Sequence, residues 1–588
     1  MSYITGANRS QVMLLPDTVD QYVDPDHPVR ALDVFVAGLH PVDLGLAKAR
    51  PAATGRPAYD PLDLLRLLLW GYFNRVRSSR RLEIECGRNL ELFWLLRGLR
   101  PDFKTIADFR RDNAKALPKV FRMFVLLCRD LKLYGQELVA IDGAKLKASN
   151  NPMRRASAEQ LTQWIAEADA RIAEYLNALA ESESETDLLG TAIEAPAAGS
   201  LRAKLAQIER HRKHLSHAWR VAEESGGKVP LTDPDCQSMQ KVGLGYNAQI
   251  AVDAKCHLIA VAEIAAEPTD HTQLPVVAAS VNAMLGEAPR KVVADAGYHD
   301  QAALAKAEEA GVECYVPRPA KGHAAKEEIF AKSDFVYEPA ADGYRCPAGR
   351  LLPRRGEGYQ KHGLSYQAYE DVKACRVCPL KAQCTKADGR RVWRWEKEST
   401  MEAIAERVTD HPEIIGARKN LVEHPFGTIK FWWGQGAVLT RGRGNVQAEL
   451  SLSAWAYNFR RVLTILGAAG LRQALQKRRK SVRNGSNKPL AQTDSLPTTS
   501  LTGHRRLYLP PPRSNRNFRT LLCNAHFAPA FSHSLLSLGT SLNEPPQCVA
   551  PAQKLSVEIT FGIRRRFARD NRAATCSNPC ATINTFHI

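Results

Sequence analysis

Two short apolar runs that each end in an aspartate, LVAID (residues 138–142) and KVVAD (291–295), constrain this chain more than any other feature. An apolar run of about four to eight residues suits a strand covered on both faces. Strands of this kind bury their surface by lying in a common sheet, yet helical text separates these two. Residues 157–222 carry apolar side chains at steps of three and four: Leu161, Ile165, Ala168, Ile172, Tyr175 and Leu179, then Leu201, Leu205, Ile208, Leu215 and Trp219. With the polar stretch SESETDLLGTAIEAPAAGS between its halves, this segment reads as a helical hairpin inserted into a sheet.

The remaining text supports that reading. GYNAQIAVDAKCHLIAVAEIA (245–265) predicts a β-hairpin turning near Asp253–Lys255, a helix follows around 272–285, and VECYVPRP (312–319) predicts a further strand. The order is that of a mixed α/β sheet. Residues 27 to 134 read as helices, with Asp60 as N-cap and Pro61 at the first position of DPLDLLRLLLWGYFNRV. Residues 335–385 look irregular and carry cysteines. A last helical region covers 400–467, with Asn445 as the cap of VQAELSLSAWAYNFRRVLTIL. Expected domains are therefore 1–134 (helical, DNA-binding), 135–150 and 233–334 (sheet core), 151–232 (hairpin), 335–385 (cysteine-rich) and 386–470 (C-terminal core helices). After QKRRK (476–480) the text turns to Ser, Pro, Asn and Arg without a period, so 471–588 is expected to be a basic, disordered tail. A shifted reading frame would also produce such text.

The net charge of +19 points to a polyanionic partner, although 13 Lys and Arg against 4 Asp and Glu from Ser481 onward place +9 of it in the tail. No apolar run reaches the ~18 residues of a membrane span, and the N-terminus has no signal-peptide pattern, so a cytoplasmic protein without a membrane partner is expected. Five arginines in 14 residues (Arg75, Arg77, Arg80, Arg81 and Arg88) form either a solvated helix face or a surface for phosphates.

Asp142 and Asp295, each after an apolar strand, would project where the chain leaves the sheet. Either alone is more simply a turn or cap residue. Glu423 in RKNLVEHPFGTIK (418–430) adds a third acid on a helix, with Lys430 two turns on and able to share its face. Two Asp and one Glu are hard oxygen donors suited to Mg²⁺ or Mn²⁺. A pair of such ions ~3.5–4 Å apart can hold both the attacking and the leaving oxygen of a phosphodiester. Asp253, at a hairpin turn, and the Asp-Pro-Asp of LTDPDCQSM (231–239) read as ordinary turn chemistry.

The motifs TGRPAYDPLDLL, NRVRSSRRLE, TIADFRRDN, VAIDGAKLKASNN, TDPD, GYNAQIAVD, VVADAGYHD and LVEHPFGTIK occur in one order over about residues 10 to 467. Together they resemble a DDE-class insertion-sequence transposase, of the insertion sequence 1182 branch. The resemblance implies a ribonuclease-H-like catalytic domain, two-metal DNA cleavage and strand transfer, and an acidic triad at Asp142, Asp295 and Glu423. It also implies terminal inverted repeats and target DNA as partners, a homodimer holding two ends, and a place at the bacterial nucleoid. Related transposases carry Tyr, Arg, Glu and Lys at fixed spacing in the last helix. Glu423 and Lys430 fit that pattern, Lys419 stands at the arginine position with Arg418 beside it, and Gly416 replaces the tyrosine. Lys430, Lys419, Arg418, Arg80 and Arg81 are the expected DNA contacts. Trp432 and Trp433 read first as core residues, with stacking on a displaced base as the alternative.

Cys346, Cys375, Cys378 and Cys384 follow the spacing C-x28-C-x2-C-x5-C. Four thiolates with a tight C-x2-C suit a structural Zn²⁺ in a ribbon-like insertion, with His362 as a substitute ligand. Reduced free cysteines are the plainer alternative. Two rival functions share these features: a metal-dependent nuclease without strand transfer, and a catalytically inactive DNA-binding remnant.

Overall fold

The computed structural model describes residues 18–51, 53–54, 57–189, 196–319, 329–361 and 363–483. They belong to the unit Met1–Thr499. The expected disordered tail beyond 483, His362 and the middle of the hairpin loop lie outside the described residues.

The N-terminal part is helical: α1 (Pro28–Ala37), α2 (Pro61–Phe73), α3 (Ser79–Arg88), α4 (Phe103–Asp112) and α5 (Leu117–Asp130). Asp60 caps α2 through Leu62 N at 2.8 Å, and Pro61 occupies its first position, where a missing N–H costs nothing. The central strand β1 (Leu138–Lys147) follows. Next come the two hairpin helices, α6 (Ala158–Leu189) and α7 (Pro196–Ser225), so helix continues through part of the stretch read as polar loop. Their contact buries Leu161, Leu215, Ala218 and Ala222.

The chain then re-enters the sheet as β2 (Gln237–Met239), β3 (Gly243–Asp253) and β4 (Ile259–Ile264), crosses by α8 (Gln273–Leu285) to β5 (Lys291–Val293), and by α9 (Gln301–Glu309) to β6 (Glu313–Tyr315). β1 pairs antiparallel with β3, and β3 with β4, whereas β5 lies parallel to β1 and β6 parallel to β5. The spatial order is therefore β4-β3-β1-β5-β6, with β2 extending the edge of β3. The hairpin-linked strands are antiparallel, and the two reached by a helical crossover are parallel, as connection length dictates.

Residues 336–395 are not irregular. They form a separate five-stranded antiparallel sheet, β7 (Val336–Glu338), β8 (Gly343–Arg345), β9 (Leu351–Lys361), β10 (Leu364–Tyr369) and β11 (Val392–Trp395), over a core of Phe335, Tyr344, Leu352, Tyr369 and Val392. Helices α10 (Glu398–Asp410), α11 (Pro412–Phe426) and α12 (Arg443–Arg483) complete the unit, with a π-helical segment, Gly427–Trp432, directly after α11 and a break in α12 at Gly467.

α12 joins the two halves of the fold. One face buries Trp455 against Phe35 (6.0 Å between centroids), Phe124 (6.0 Å) and Phe459 (4.8 Å, stacked). The other face pins the edge strand β4. Asn458 accepts from Ile259 N at 2.8 Å and donates to Ile259 O at 2.7 Å, and Gln447 does the same for Ile264 N and Ala262 O. The edge groups that would otherwise be open to another strand are thus satisfied. Asn445 is not the cap of this helix. α12 starts two residues earlier, and Asp233 and Asp235 of the Asp-Pro-Asp turn accept from Gly442 N (3.0 Å) and Arg443 N (2.7 Å).

Trp455→Ala should cost about 3–5 kcal/mol, because the surrounding aromatic cluster collapses only partly around the cavity. Urea unfolding followed by circular dichroism measures this as a lower midpoint.

Candidate active site

Asp142 lies within β1 and not at its end. The strand continues to Lys147 because its pairing with β3 runs unbroken from Val139 opposite Asp253 to Lys147 opposite Gly245. Asp295 does lie beyond its strand, two residues after β5. Its Oδ1 accepts from Gly297 N at 2.8 Å and starts a short 3₁₀ turn. The parallel register pairs Ala140 with Val293. Asp142 and Asp295 each follow this last pair by two residues, Asp142 still in β1 and Asp295 in the turn after β5.

The Asp142 carboxyl is pushed up to about 6, first by burial. The Arg418 guanidinium and a bond from Gly143 N oppose that rise, and the charges of Asp295 and Asp270 add to it. Arg418 Nη1 stands 3.6 Å from Asp142 Oδ2, and Gly143 N donates to Oδ1 at 2.9 Å.

Asp270 is the group that sequence reasoning missed. It accepts from Lys145 Nζ (2.9 Å), Asn247 Nδ2 (2.9 Å) and Gln249 Nε2 (2.7 Å). Gln249 in turn accepts from the Tyr298 hydroxyl. Burial pushes that phenol far up, and the charges of Asp270, Asp142 and Asp295 all add to the effect. Gly143 is required for this packing, since a Cβ there would come within 2.6 Å of both Asp270 Oδ1 and Gln249 Nε2. A signal for Asp270 was present in β3. Asn247 and Gln249 are completely or almost completely buried in an otherwise apolar strand, and buried amides need polar partners.

Helix α11 packs across β1, β3 and β5. It brings Arg418 to Asp142, and the π segment beyond it brings Lys430. The Lys430 Nζ donates to Lys145 O at 3.3 Å, and burial holds its ammonium below the usual lysine range, opposed by the charge of Asp142. Glu423 lies on the same helix, about one and a half turns beyond Arg418, with its side chain exposed. Among the described residues, no three His, Cys, Asp or Glu side chains stand together as a metal-ligand group. The aspartates are brought together, and Glu423 is carried on the helix above them without joining them.

The arginine-rich stretch divides. Arg77 is turned inward, paired with Glu449 at 2.7 Å, and Arg88 is paired with Glu85. Arg80 and Arg81 are exposed, Arg80 lying over the Phe103 ring at 5.3 Å, and Lys419 is exposed on α11. Asp253, set aside from the triad, accepts from Gly135 N, Gln136 N and Lys255 N. The four cysteines line one small cavity with Phe330, Phe335 and Leu352, and none of them is in a disulfide. Burial raises the Cys384 thiol, with Arg390 opposing and the other three cysteines adding to the rise.

Two domain families match the chain. A transposase domain, DUF772, matches residues 17–112, and a transposase DDE domain matches residues 345–463. Both are transposase families. Together they support a DDE-type transposase, without fixing the insertion sequence 1182 branch. The second match contains Glu423, Lys430 and the four cysteines, whereas Asp142 and Asp295 lie outside both spans. No curated protein matches. Among solved structures, a piggyBac transposase synaptic complex with hairpin DNA aligns over 83% of this chain and 89% of that chain, at 8% identity and a TM-score of 0.27. Among the described residues, no helix is long and apolar enough to cross a membrane.

Because the Asp142 carboxyl titrates near 6 in the fold against 3.8 for its ordinary value, its ionisation opposes folding at neutral pH. Asp142→Asn should therefore be more stable than the parent at pH 7 in metal-free buffer, by on the order of 2 kcal/mol. The gap should close as pH falls through about 6 towards 4, where the parent carboxyl is protonated too. Calorimetric melts across that range test both the sign and the window.

Proposed function

We propose that the chain is a DNA transposase that binds the terminal inverted repeats of an insertion sequence, cuts at the element ends and joins 3′ hydroxyls to target DNA. The observation that carries this reading is that Asp142 on β1 and Asp295 just past β5 lie at the same end of two adjacent parallel strands. They lie beneath the helix that bears Arg418 and Glu423, in a chain matched near both ends by transposase domains. The strand order β4-β3-β1-β5-β6, three strands antiparallel and two parallel, supports a ribonuclease-H-like core.

The donor set fits hard divalent cations. Asp142 and Asp295 are oxygen donors in a partly desolvated place where they repel each other and Asp270, and a cation relieves that repulsion. Two Mg²⁺ or Mn²⁺ ions, when bound, supply activation of the attacking oxygen and neutralisation of the leaving one. Glu423 becomes the third donor through a rotation of α11, whose end already departs from α-helical geometry at Gly427–Trp432. Arg418, released from Asp142, and Lys430 hold the phosphate at the cut, while Lys419, Arg80 and Arg81 grip the flanking backbone. Two such chains hold the two ends as a homodimer. Cys346, Cys375, Cys378 and Cys384, which line one cavity without yet standing as a metal-ligand group, would hold a structural Zn²⁺ that staples the β7–β11 sheet.

Asp142→Ala, Asp295→Ala and Glu423→Ala should each abolish Mg²⁺-dependent cleavage of labelled element ends on a strand-resolving gel while end binding persists. Parental cleavage by all three rejects the triad. Supplying pre-cleaved ends asks separately for joined products. For the zinc site, elemental analysis of the purified protein should find about one Zn²⁺ per chain, lost in Cys375→Ser with Cys378→Ser.

A further inference from the structure

Phe431, Trp432 and Trp433 are divided by the backbone that carries them. Trp433 is only 8% exposed and faces the Arg460 guanidinium, 5.8 Å from its ring centroid. Phe431 and Trp432 are 81% and 78% exposed. Isolated surface aromatics are ordinary, but here two residues adjacent in the chain each leave most of a large ring in water, at a cost.

Their support is stiff. Ile429 and Trp433 are buried on either side. Trp433 N donates to Thr428 O at 2.9 Å, and Gln435 N to Ile429 O at 3.1 Å, closing the turn that presents the pair. Just beyond, Lys147 N donates to Gly436 O and Val438 N to Lys147 O, both at 2.9 Å, which ties the segment to the end of β1. Arg77 donates to Gly434 O and Ala437 O from the N-terminal helices. Lys430, immediately before Phe431, donates to Lys145 O at 3.3 Å, three residues along β1 from Asp142. The exposed rings therefore rise from a fixed loop at the rim of the carboxylate site.

We propose that Phe431 and Trp432 are a stacking platform for an unpaired DNA base next to the phosphate being cut. This rests on the transposase reading above. The setting favours a nucleic acid base over other occupants, because the pair directly follows Lys430, whose ammonium lies at the edge of the carboxylate site, and a nucleotide offers a π face and an anion together. An unpaired base is required, since a base inside a duplex has both faces covered.

The test uses the full chain without divalent ions and a duplex of the element's terminal sequence. One form is blunt, and the other carries a short single-stranded extension whose first unpaired base is 2-aminopurine. The parent should quench the 2-aminopurine and bind the extended form about tenfold more tightly than the blunt form. Trp432→Ala should lose both effects, Phe431→Ala should weaken them, and Trp432→Phe should retain them. Duplex binding and the melting midpoint should stay unchanged, because neither side chain packs in the fold. An undiminished preference and quench in the Phe431→Ala, Trp432→Ala double variant overturns the platform while leaving the transposase reading intact. The same holds if those variants alter sedimentation and not the quench, which makes the pair a contact between copies. If the parent binds neither duplex above random competitor DNA, the transposase reading falls and takes this proposal with it.

Discussion

Carboxylates held close together out of water raise one another's energy, and the centre of this protein is arranged around that cost. Asp142 is mostly withdrawn from solvent, Asp295 follows just past the end of the neighbouring strand, and Asp270 closes in from the crossover after β4. Each is answered. Arg418 stands against Asp142, Lys145 and two amides serve Asp270, and a backbone N–H serves Asp295. These answers are unequal. The three bonds to Asp270 are short and fixed within the sheet, whereas the Arg418 contact, at 3.6 Å, comes from a helix laid across it. The division leaves one weakly held counter-charge beside a more firmly held remainder, as the proposed cation site would require.

β1 is where the chain's distant parts meet. Its middle carries Asp142, its end pairs with the loop beyond the π segment, and its flank holds β3, whose neighbour β4 is pinned by amides from α12. Arg77 extends the connection to the N-terminal helices, with Glu449 satisfying its charge and the carbonyls of Gly434 and Ala437 each accepting a further bond. Glu449 also accepts from Leu439 N and Thr440 N. One buried acid thus fixes both an arginine of the helical domain and the backbone leading into α12. This explains why Arg77, outwardly one of five similar basic residues, belongs to the interior while Arg80 and Arg81 remain exposed.

Much of this was legible where local chemistry decides the outcome. Apolar runs marked β1 and β5, the turn at Asp253 marked the β3–β4 hairpin, and Asp60 with Pro61 marked the start of α2. What escaped was non-local. β1 outran its apolar run because pairing with β3, not hydrophobicity, carries it through Lys145 and Lys147. Asn445 looked like a cap, yet the capping groups come from Asp233 and Asp235, about 200 positions upstream, which no local pattern reports. The sheet over 336–395 was hidden because β9 is exposed along nearly its whole length and so lacks the alternation that announces a strand. Two adjacent tryptophans looked equivalent, and the π segment made one core and the other surface.

The same non-local caps explain how an insertion can sit between β1 and the rest of the sheet without disturbing it. The hairpin α6–α7 has its own small core and leaves and returns through the pairing of Arg155–Ala156 with Val229–Pro230. The returning strand of that pairing leads directly into Asp233 and Asp235. There Asp233 also accepts from the Tyr246 hydroxyl of β3, and Asp235 from His217 of α7. The turn therefore ties three things at once: the base of the hairpin, the start of β3 and the N-terminus of α12. Removing the Asp233 carboxylate would leave a buried tyrosine hydroxyl and a helix terminus without partners, a penalty larger than the loss of one surface cap. An Asp-Pro-Asp that reads as ordinary turn chemistry is thus the joint through which the hairpin is held in a fixed relation to the strands bearing the carboxylates.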